Sequence, residues 1–224
     1  MNKRLSMDDT KPVDYIPESS KLEGIAKCSL PEIFDIFGSD KGTVDNAHRY
    51  GERYADILAR LPHDIVISEI GVACGASLRA FSTYRPNGKI YGYDIRDDCS
   101  NLLSDCSNVQ IYIQDCTKTS LRHSSHLIID DGSHISEDIV ETFRLNWSKL
   151  IPGGYYVVED LACTYNTRYT QKHNQSFGRN IKNDRLYFMR LIDTIMRACD
   201  SAGNGIKSFD YTKELLVIHK DHRI

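Results

Sequence analysis

Apolar residues recur along this chain with two different periods, and the switch between them marks out its elements. Short apolar runs of strand length stand at Ile65 to Ile70, Lys89 to Asp94, Val109 to Ile113, Leu127 to Asp130 and Tyr155 to Glu159. Ser29-Leu30-Pro31-Glu32 carries the start signals of a helix: a capping serine, a proline in the first turn and a glutamate three residues after the cap. That helix is expected to run to Phe37 and stop at Gly38. Helical spacing next places Tyr50, Tyr54, Ile57 and Leu61 on one face of a helix from about Ala47 to Leu61. Further helices are predicted after Gly75, from Ser136 to about Leu150, and from about Ile181 to Asp200 with Phe188, Leu191, Ile192 and Ile195 inward. The third strand is followed by little more than a turn near Thr117, and the fifth follows a Pro152-Gly153-Gly154 turn. Ile206 to Asp210 and Glu214 to His219 close the chain as a hairpin.

Strands alternating with helices argue for a parallel sheet covered on both faces. With the final hairpin, the expected architecture is an α/β, Rossmann-like, mostly parallel seven-stranded sheet ending in an antiparallel hairpin. The order of elements resembles the class I methyltransferase fold. Residues 1–28, polar and holding Pro12 and Pro17, read as a flexible N-terminal arm, and 29–224 as one domain. The stretch Leu161 to Asn180 reads as a long loop, a candidate acceptor lid.

Composition narrows the partners. With 28 Lys+Arg against 31 Asp+Glu, the basic residues scattered, no nucleic-acid surface is indicated. Seven cysteines form no C-x-x-C pair, and the odd count suggests free thiols. A cytoplasmic chain with no membrane span is expected, from the absence of a signal-like start and of any apolar run of membrane length. Trp147 and the apolar stripe of the last long helix suit core or subunit contact, and a homo-oligomer (dimer or tetramer) is expected.

Two strands end in paired acids, Asp130-Asp131-Gly132-Ser133-His134 and Glu159-Asp160. Adjacent parallel strands deliver their carboxyl ends to the same edge, where ligands bind. Carboxylates gathered there repel one another unless a cation sits between them, and oxygen donors suit a hard ion such as Mg²⁺. At the first strand, Glu69-Ile70-Gly71-Val72-Ala73-Cys74-Gly75-Ala76-Ser77 is a glycine-bearing loop that opens a helix. Its glycines do not fit the G-x-G-x-x-G spacing of dinucleotide folds, which weakens a dehydrogenase reading. Glu69, Gly71 and Gly75 fit the E-x-G-x-x-x-G pattern of S-adenosylmethionine (SAM) binding, with Ser77 just beyond. Asp94, ending the second strand, is placed to accept from ribose hydroxyls. Gln114 and Asp115, ending the third, stand where an adenine is expected.

Phe37-Gly38-Ser39-Asp40-Lys41-Gly42, His48-x-Tyr50, Glu69-x-Gly71, Asp130-Asp131-Gly132-Ser133-His134 and Glu159-Asp160-Leu161 together resemble the metal-dependent sugar O-methyltransferases of macrolide and anthracycline biosynthesis. The resemblance covers most of the chain from Phe37 onward. It implies SAM and Mg²⁺ as cofactors, Asp131, Glu159 and Asp160 as metal ligands, and His134 as general base. Ser39, Lys41 and Tyr50 are then expected around the methionine end of SAM, with Asp130 also on the cofactor side. Tyr165 and Tyr169, in the stretch after the second acid pair, are candidates for contacting a sugar. The family often reads threonine-serine-tyrosine there, whereas this chain has Ala162-Cys163-Thr164-Tyr165. The expected activity is methyl transfer to a hydroxyl of a sugar in a glycosylated natural product or glycan. A catechol-type O-methyltransferase and a non-catalytic SAM-binding protein remain as alternatives.

Overall fold

The computed structural model describes residues 24–44, 47–201 and 205–222. The expected flexible arm lies outside the described residues up to position 23, and Ile25–Lys27 forms a single 3-10 turn. Seven strands form one sheet in the order β3-β2-β1-β4-β5-β7-β6, where β1 is Val66–Ile70, β2 Lys89–Asp94, β3 Val109–Ile113, β4 Ser125–Asp130, β5 Leu150–Val158, β6 Ile206–Tyr211 and β7 Leu216–Lys220. The pairs β1–β4, β4–β5 and β2–β3 are parallel, and β7 runs antiparallel to β5 and β6. The expected mostly parallel sheet with a terminal hairpin is present, and it is the sheet of a Rossmann-like class I methyltransferase fold. Among the described residues, no helix is long and apolar enough to cross a membrane.

By internal contacts the chain divides into two compact units. The first comprises the described residues up to Ile65 together with Val72–Ile113. It contains helices α1 (Leu30–Ile36), α2 (Gly51–Leu58) and α3 (Ala76–Tyr84), with the β2–β3 pair. The α1 start is as read: Glu32 accepts from the Ser29 backbone N–H and hydroxyl, each at 2.7 Å, in a capping box with Pro31 in the first turn. Phe34, Tyr54 and Phe81 meet edge-to-face with centroids 5.2–6.3 Å apart. Each such contact adds about 0.5–1.5 kcal/mol beyond the area it buries. Helix α2 is shorter than expected: Arg49 adopts a left-handed backbone (φ 60°), so regular structure begins only at Gly51. Leu58 then takes the buried place expected of Leu61.

The second unit comprises Val66–Gly71 and Gln114–Ile224, described through 222. It holds β1, β4, β5, β6 and β7, with α4 (Ser136–Asn146), α5 (Thr167–Ser176) and α6 (Arg185–Asp200). Strand β4 is buried along its apolar length, and Ser68 and Ser125 satisfy each other within the core at 2.8 Å. Three sequence expectations are corrected here. Strand β5 begins at Leu150, not Tyr155: a step from Ser125 to Leu127 on β4 is matched by a step from Leu150 to Tyr155 on β5, so Pro152-Gly153-Gly154 bulges within the strand instead of preceding it. A side chain at Gly154 would meet the His126 carbonyl at 2.5 Å, which is why glycine stands in the bulge. The stretch 161–180 is not a loop but a 3-10 segment, Leu161–Tyr165, followed by α5. Helix α6 starts at Arg185, where Asp184 accepts from the Leu186 N–H as N-cap, and buries Phe188, Leu191, Ile192 and Ile195 as read.

Candidate functional site

Sheet order reverses between β1 and β4, the place where open α/β sheets bind ligands beyond the carboxyl ends of their strands. Ile70 is in register with Asp130 there, and the Asp131 N–H donates to the Ile70 carbonyl at 2.9 Å. The approach is so close that a Cβ on Gly71 would lie 2.1 Å from the Asp131 carbonyl oxygen, and Gly71 has φ 94°. Only glycine fits both constraints. The sequence assigned Gly71 to the cofactor, but its closest constraint within this unit is the acidic segment. One strand further, the Glu159 N–H donates to the Asp130 carbonyl at 3.0 Å, so the second acid pair leaves the sheet beside the first.

These strand ends bring Asp131, His134 and Asp160 together, each offering a ligand atom within 4.8 Å of the others. The His134 Nε2 stands 3.9 Å from a carboxylate oxygen of Asp131 and 3.9 Å from one of Asp160, too long for hydrogen bonds. His134 is buried and both acids are half-buried. His134 (φ 54°) and Asp160 (φ 55°) hold left-handed backbones, which cost roughly 1–3 kcal/mol each in a non-glycine residue and occur where the surroundings over-determine them. Two carboxylates held this close in restricted solvent fit a hard divalent cation by charge and by donor chemistry. Glu159, 2% exposed, is not one of the three grouped residues.

Asp130, expected on the cofactor side, is buried under this edge at 4% exposure. Burial pushes its carboxyl up to about 8, opposed by a bond from the Gly132 backbone, and its Oδ2 finds no hydrogen-bond partner among the described residues. The buried Tyr156 hydroxyl is likewise without a partner, and burial, then the Asp130 charge, raise its pKa. Tyr165 and Tyr169 separate. Tyr165 is exposed, with the Arg185 guanidinium 4.2 Å from its ring centroid. Tyr169 lies with its ring 5.7 Å from that of His134 and its hydroxyl buried without a partner; its pKa is raised by burial first, with the acids Asp131 and Asp160 adding to it. Behind Tyr169 stand His173 on α5 and Phe177 at its C-cap, the last two with centroids 4.7 Å apart. In the sequence, His173 counts among the polar groups of the candidate acceptor stretch, with no role in catalysis. Burial, then the Arg179 charge, lower its pKa. Asp138, Arg179 and Asn183 were also passed over, although they fasten this segment down.

In the first unit, Asp94 is committed to its own loop. Its Oδ2 accepts from the N–H groups of Val72 (2.8 Å) and Ala73 (3.3 Å), and its Oδ1 from that of Arg96 (2.9 Å). A carboxylate has about four lone-pair sites, and backbone donors take three of them here. Gly75, left-handed at φ 78°, caps α3, and Ser77 is buried in its first turn. Ser39, Lys41 and Tyr50 are all buried, and the Ser39 hydroxyl accepts from the Lys41 N–H at 3.3 Å. In the second unit Glu69 is fully buried. Gln114 donates to the carbonyls of Thr119 (3.2 Å) and Ser120 (3.1 Å), and Asp115 accepts from Thr117 N–H (3.0 Å), from its hydroxyl (2.6 Å) and from Lys118 (2.8 Å). Both thus close the turn after β3, a task the sequence reading did not give them.

No family model matches the chain. It is 31% identical over 198 residues to the 8-demethyl-8-alpha-L-rhamnosyl tetracenomycin-C 2'-O-methyltransferase of Streptomyces olivaceus, a match covering 81% of this chain and 50% of that protein. It is 33% identical over 98 residues to the mycinamicin VI 2''-O-methyltransferase of Micromonospora griseorubida, covering 41% of this chain and 24% of that one. The chain spans at most about half the length of these curated relatives. Among solved structures it is similar to the MycE methyltransferase of the mycinamycin pathway, in complex with Mg and SAH, with TM-score 0.66 and 21% identity over 87% of this chain and 55% of that one. At that identity the structural likeness establishes the fold.

Proposed function

From its sequence kinship with the sugar O-methyltransferases of antibiotic tailoring, we propose that this chain transfers a methyl group from SAM to a sugar hydroxyl, with Mg²⁺ as cofactor. The acceptor class is a glycosylated natural product or glycan. The observation that carries the reading is the convergence of Asp131, His134 and Asp160 within 4.8 Å beyond the ends of β4 and β5.

Asp131 and Asp160 would hold the metal, with Glu159 as the third carboxylate of the proposed set. Bound there, a divalent ion supplies charge that makes a neighbouring hydroxyl easier to deprotonate and fixes its position. His134 accepts the hydroxyl proton on Nε2 as the oxygen attacks the methyl carbon. SAM bound beside it would supply the methyl group from its sulfonium, with S-adenosylhomocysteine as the leaving product. Imidazole suits this task because its protonation equilibrium lies near neutral pH. Tyr169, its ring beside His134, shapes the acceptor side of the base. Asp94 accepts from the ribose through its remaining lone pair, and Ser39, Lys41 and Tyr50 surround the methionine end.

Incubation with labelled SAM, Mg²⁺ and a panel of glycosides, read by mass spectrometry, tests the reading. Methylated glycoside is expected, with turnover stopped by EDTA and restored by added Mg²⁺. Undiminished turnover in a chelated, metal-free sample would remove the metal from the mechanism.

A further inference from the structure

We infer that Asp138 is a positioning residue that ties the loop carrying His134 to the 161–184 segment, so that the general base is set only when that segment is seated. The inference rests on the methyltransferase reading for its kinetic consequence, though not for its geometry. Asp138 lies in the first turn of α4 and is 6% exposed. One of its oxygens, Oδ2, accepts from the Ser133 hydroxyl at 2.5 Å and from an Arg179 nitrogen at 2.7 Å, while Oδ1 accepts from the other Arg179 nitrogen at 2.6 Å. A single buried carboxylate therefore serves both segments.

On the loop side, the Ser133 Oγ also accepts from the Ile135 N–H at 3.3 Å. Ser133 and Ile135 flank His134, so this oxygen braces the residues on either side of its left-handed backbone. On the other side, Arg179 is the third residue after α5, whose Tyr169 packs against the His134 ring. Asn183 adds a parallel fastening: its Oδ1 accepts from the Ser136 N–H (2.9 Å) and hydroxyl (2.7 Å), and its Nδ2 donates to Thr170 Oγ1 (3.0 Å) and the Cys163 carbonyl (3.2 Å). Residues supporting a functional side chain from behind commonly cost 10–100-fold in activity when removed. A two-armed carboxylate transmits more than support. Loss of the Arg179 arm leaves Asp138 a buried charge with one donor, free to reorient and release Ser133.

The two arms can be cut separately. Ser133→Ala should lower kcat about tenfold or more at unchanged acceptor KM, with the 161–184 segment as resistant to limited proteolysis as in the wild type. Arg179→Gln should expose that segment to cleavage and also lower kcat at saturating acceptor, with partial rescue in Arg179→Lys. The double variant should be no slower than the slower single one, because both act through Asp138. A passive fastening predicts otherwise: Arg179→Gln would raise acceptor KM and leave kcat at the wild-type value, and that result overturns the inference. Hydrogen exchange at residues 133–135 gives a readout independent of turnover. Faster exchange there in Arg179→Gln supports the tie and unchanged exchange refutes it, even if wild-type protein methylates no glycoside and the methyltransferase reading itself falls.

Discussion

Asp94 and Asp131 both stand at the carboxyl ends of parallel strands, and their surroundings could hardly differ more. Asp94 takes two backbone N–H groups from the loop it supports, at 2.8 and 3.3 Å, and a third from Arg96 at 2.9 Å. Those donors take up most of its lone-pair capacity and fix the loop. Asp131 faces a second acid and an imidazole, with the imidazole 3.9 Å from both carboxylates. Two of the three residues in that grouping occupy left-handed backbone. Strain and near-contact of like charges are costs that a packed structure avoids unless something stabilises them. The first carboxylate builds a loop; the second, on the proposed reading, holds a cation. Being an acid at a strand end therefore says little until its donors are counted.

Substitutions can break that contrast, and the largest effect should come from the grouped acids. Asp131→Ala and Asp160→Ala are each expected to abolish methyl transfer nearly completely while SAM still binds by calorimetry. Substantial turnover in either variant would mean that the grouping holds no essential cation. Next, His134→Ala should lower turnover by about 10²-fold or more, the range for removing a positioned base. Turnover close to the wild type's, with methyl transfer shown to be rate-limiting, would make the histidine a structural residue.

Asp94→Ala should act on the other side of the comparison. SAM affinity should fall by roughly 1.5–3 kcal/mol for each charge-assisted bond lost, with turnover at saturating SAM much less affected. Because Asp94 also anchors Val72 and Ala73, hydrogen exchange in that loop should rise even without SAM. An unchanged dissociation constant would remove Asp94 from the cofactor's contacts. The smallest effect concerns pH. His173 is buried with its pKa held below the ordinary 6.5, so its neutral form is favoured in the folded chain. Its contribution to stability is then present above the unfolded-state value and is lost as pH falls through the depressed folded one. Proteolysis of the 161–184 segment should accelerate on acidification below about pH 6.5, the unperturbed histidine value, and His173→Phe should blunt the acceleration. A variant with the wild-type pH profile would exclude His173 as the cause.

Elements whose apolar period is strong were legible from the sequence, as the Phe188-Leu191-Ile192-Ile195 stripe and the Ser29 capping box show. Helix α5 was not, because Thr167–Ser176 carries almost no aliphatic residue. Its buried residues are Thr170 and His173, with Tyr169 half-buried beside them, and Asn166 caps it by accepting from the Tyr169 N–H at 3.1 Å. A polar face buried against polar partners leaves no hydrophobic signal to read. The Pro152-Gly153-Gly154 signal was read correctly as irregular backbone but misplaced, since a bulge and a turn use the same residues. The closeness of Asp131, His134 and Asp160 was legible because each lies just beyond a strand end. Asp138 was not, since its partner Arg179 lies 41 positions away and nothing local announces the pair. Gln114 and Asp115 were assigned outward roles because strand-end polar residues invite them; their side chains turn back to close the next turn.

Gly71 bears on how variants of this chain would be diagnosed. In a mutational scan, any replacement at this position would be filed as damage to the glycine-bearing loop, and a loss of SAM affinity would be looked for. The overlap it creates, 2.1 Å from the Asp131 carbonyl oxygen, lies instead in the neighbouring acidic segment. On the proposed metal reading, a Gly71→Ala protein would thus be a phenocopy of an Asp131 variant. Its defect would be graded by metal concentration and not by SAM, although position 71 has no side chain with which to touch either.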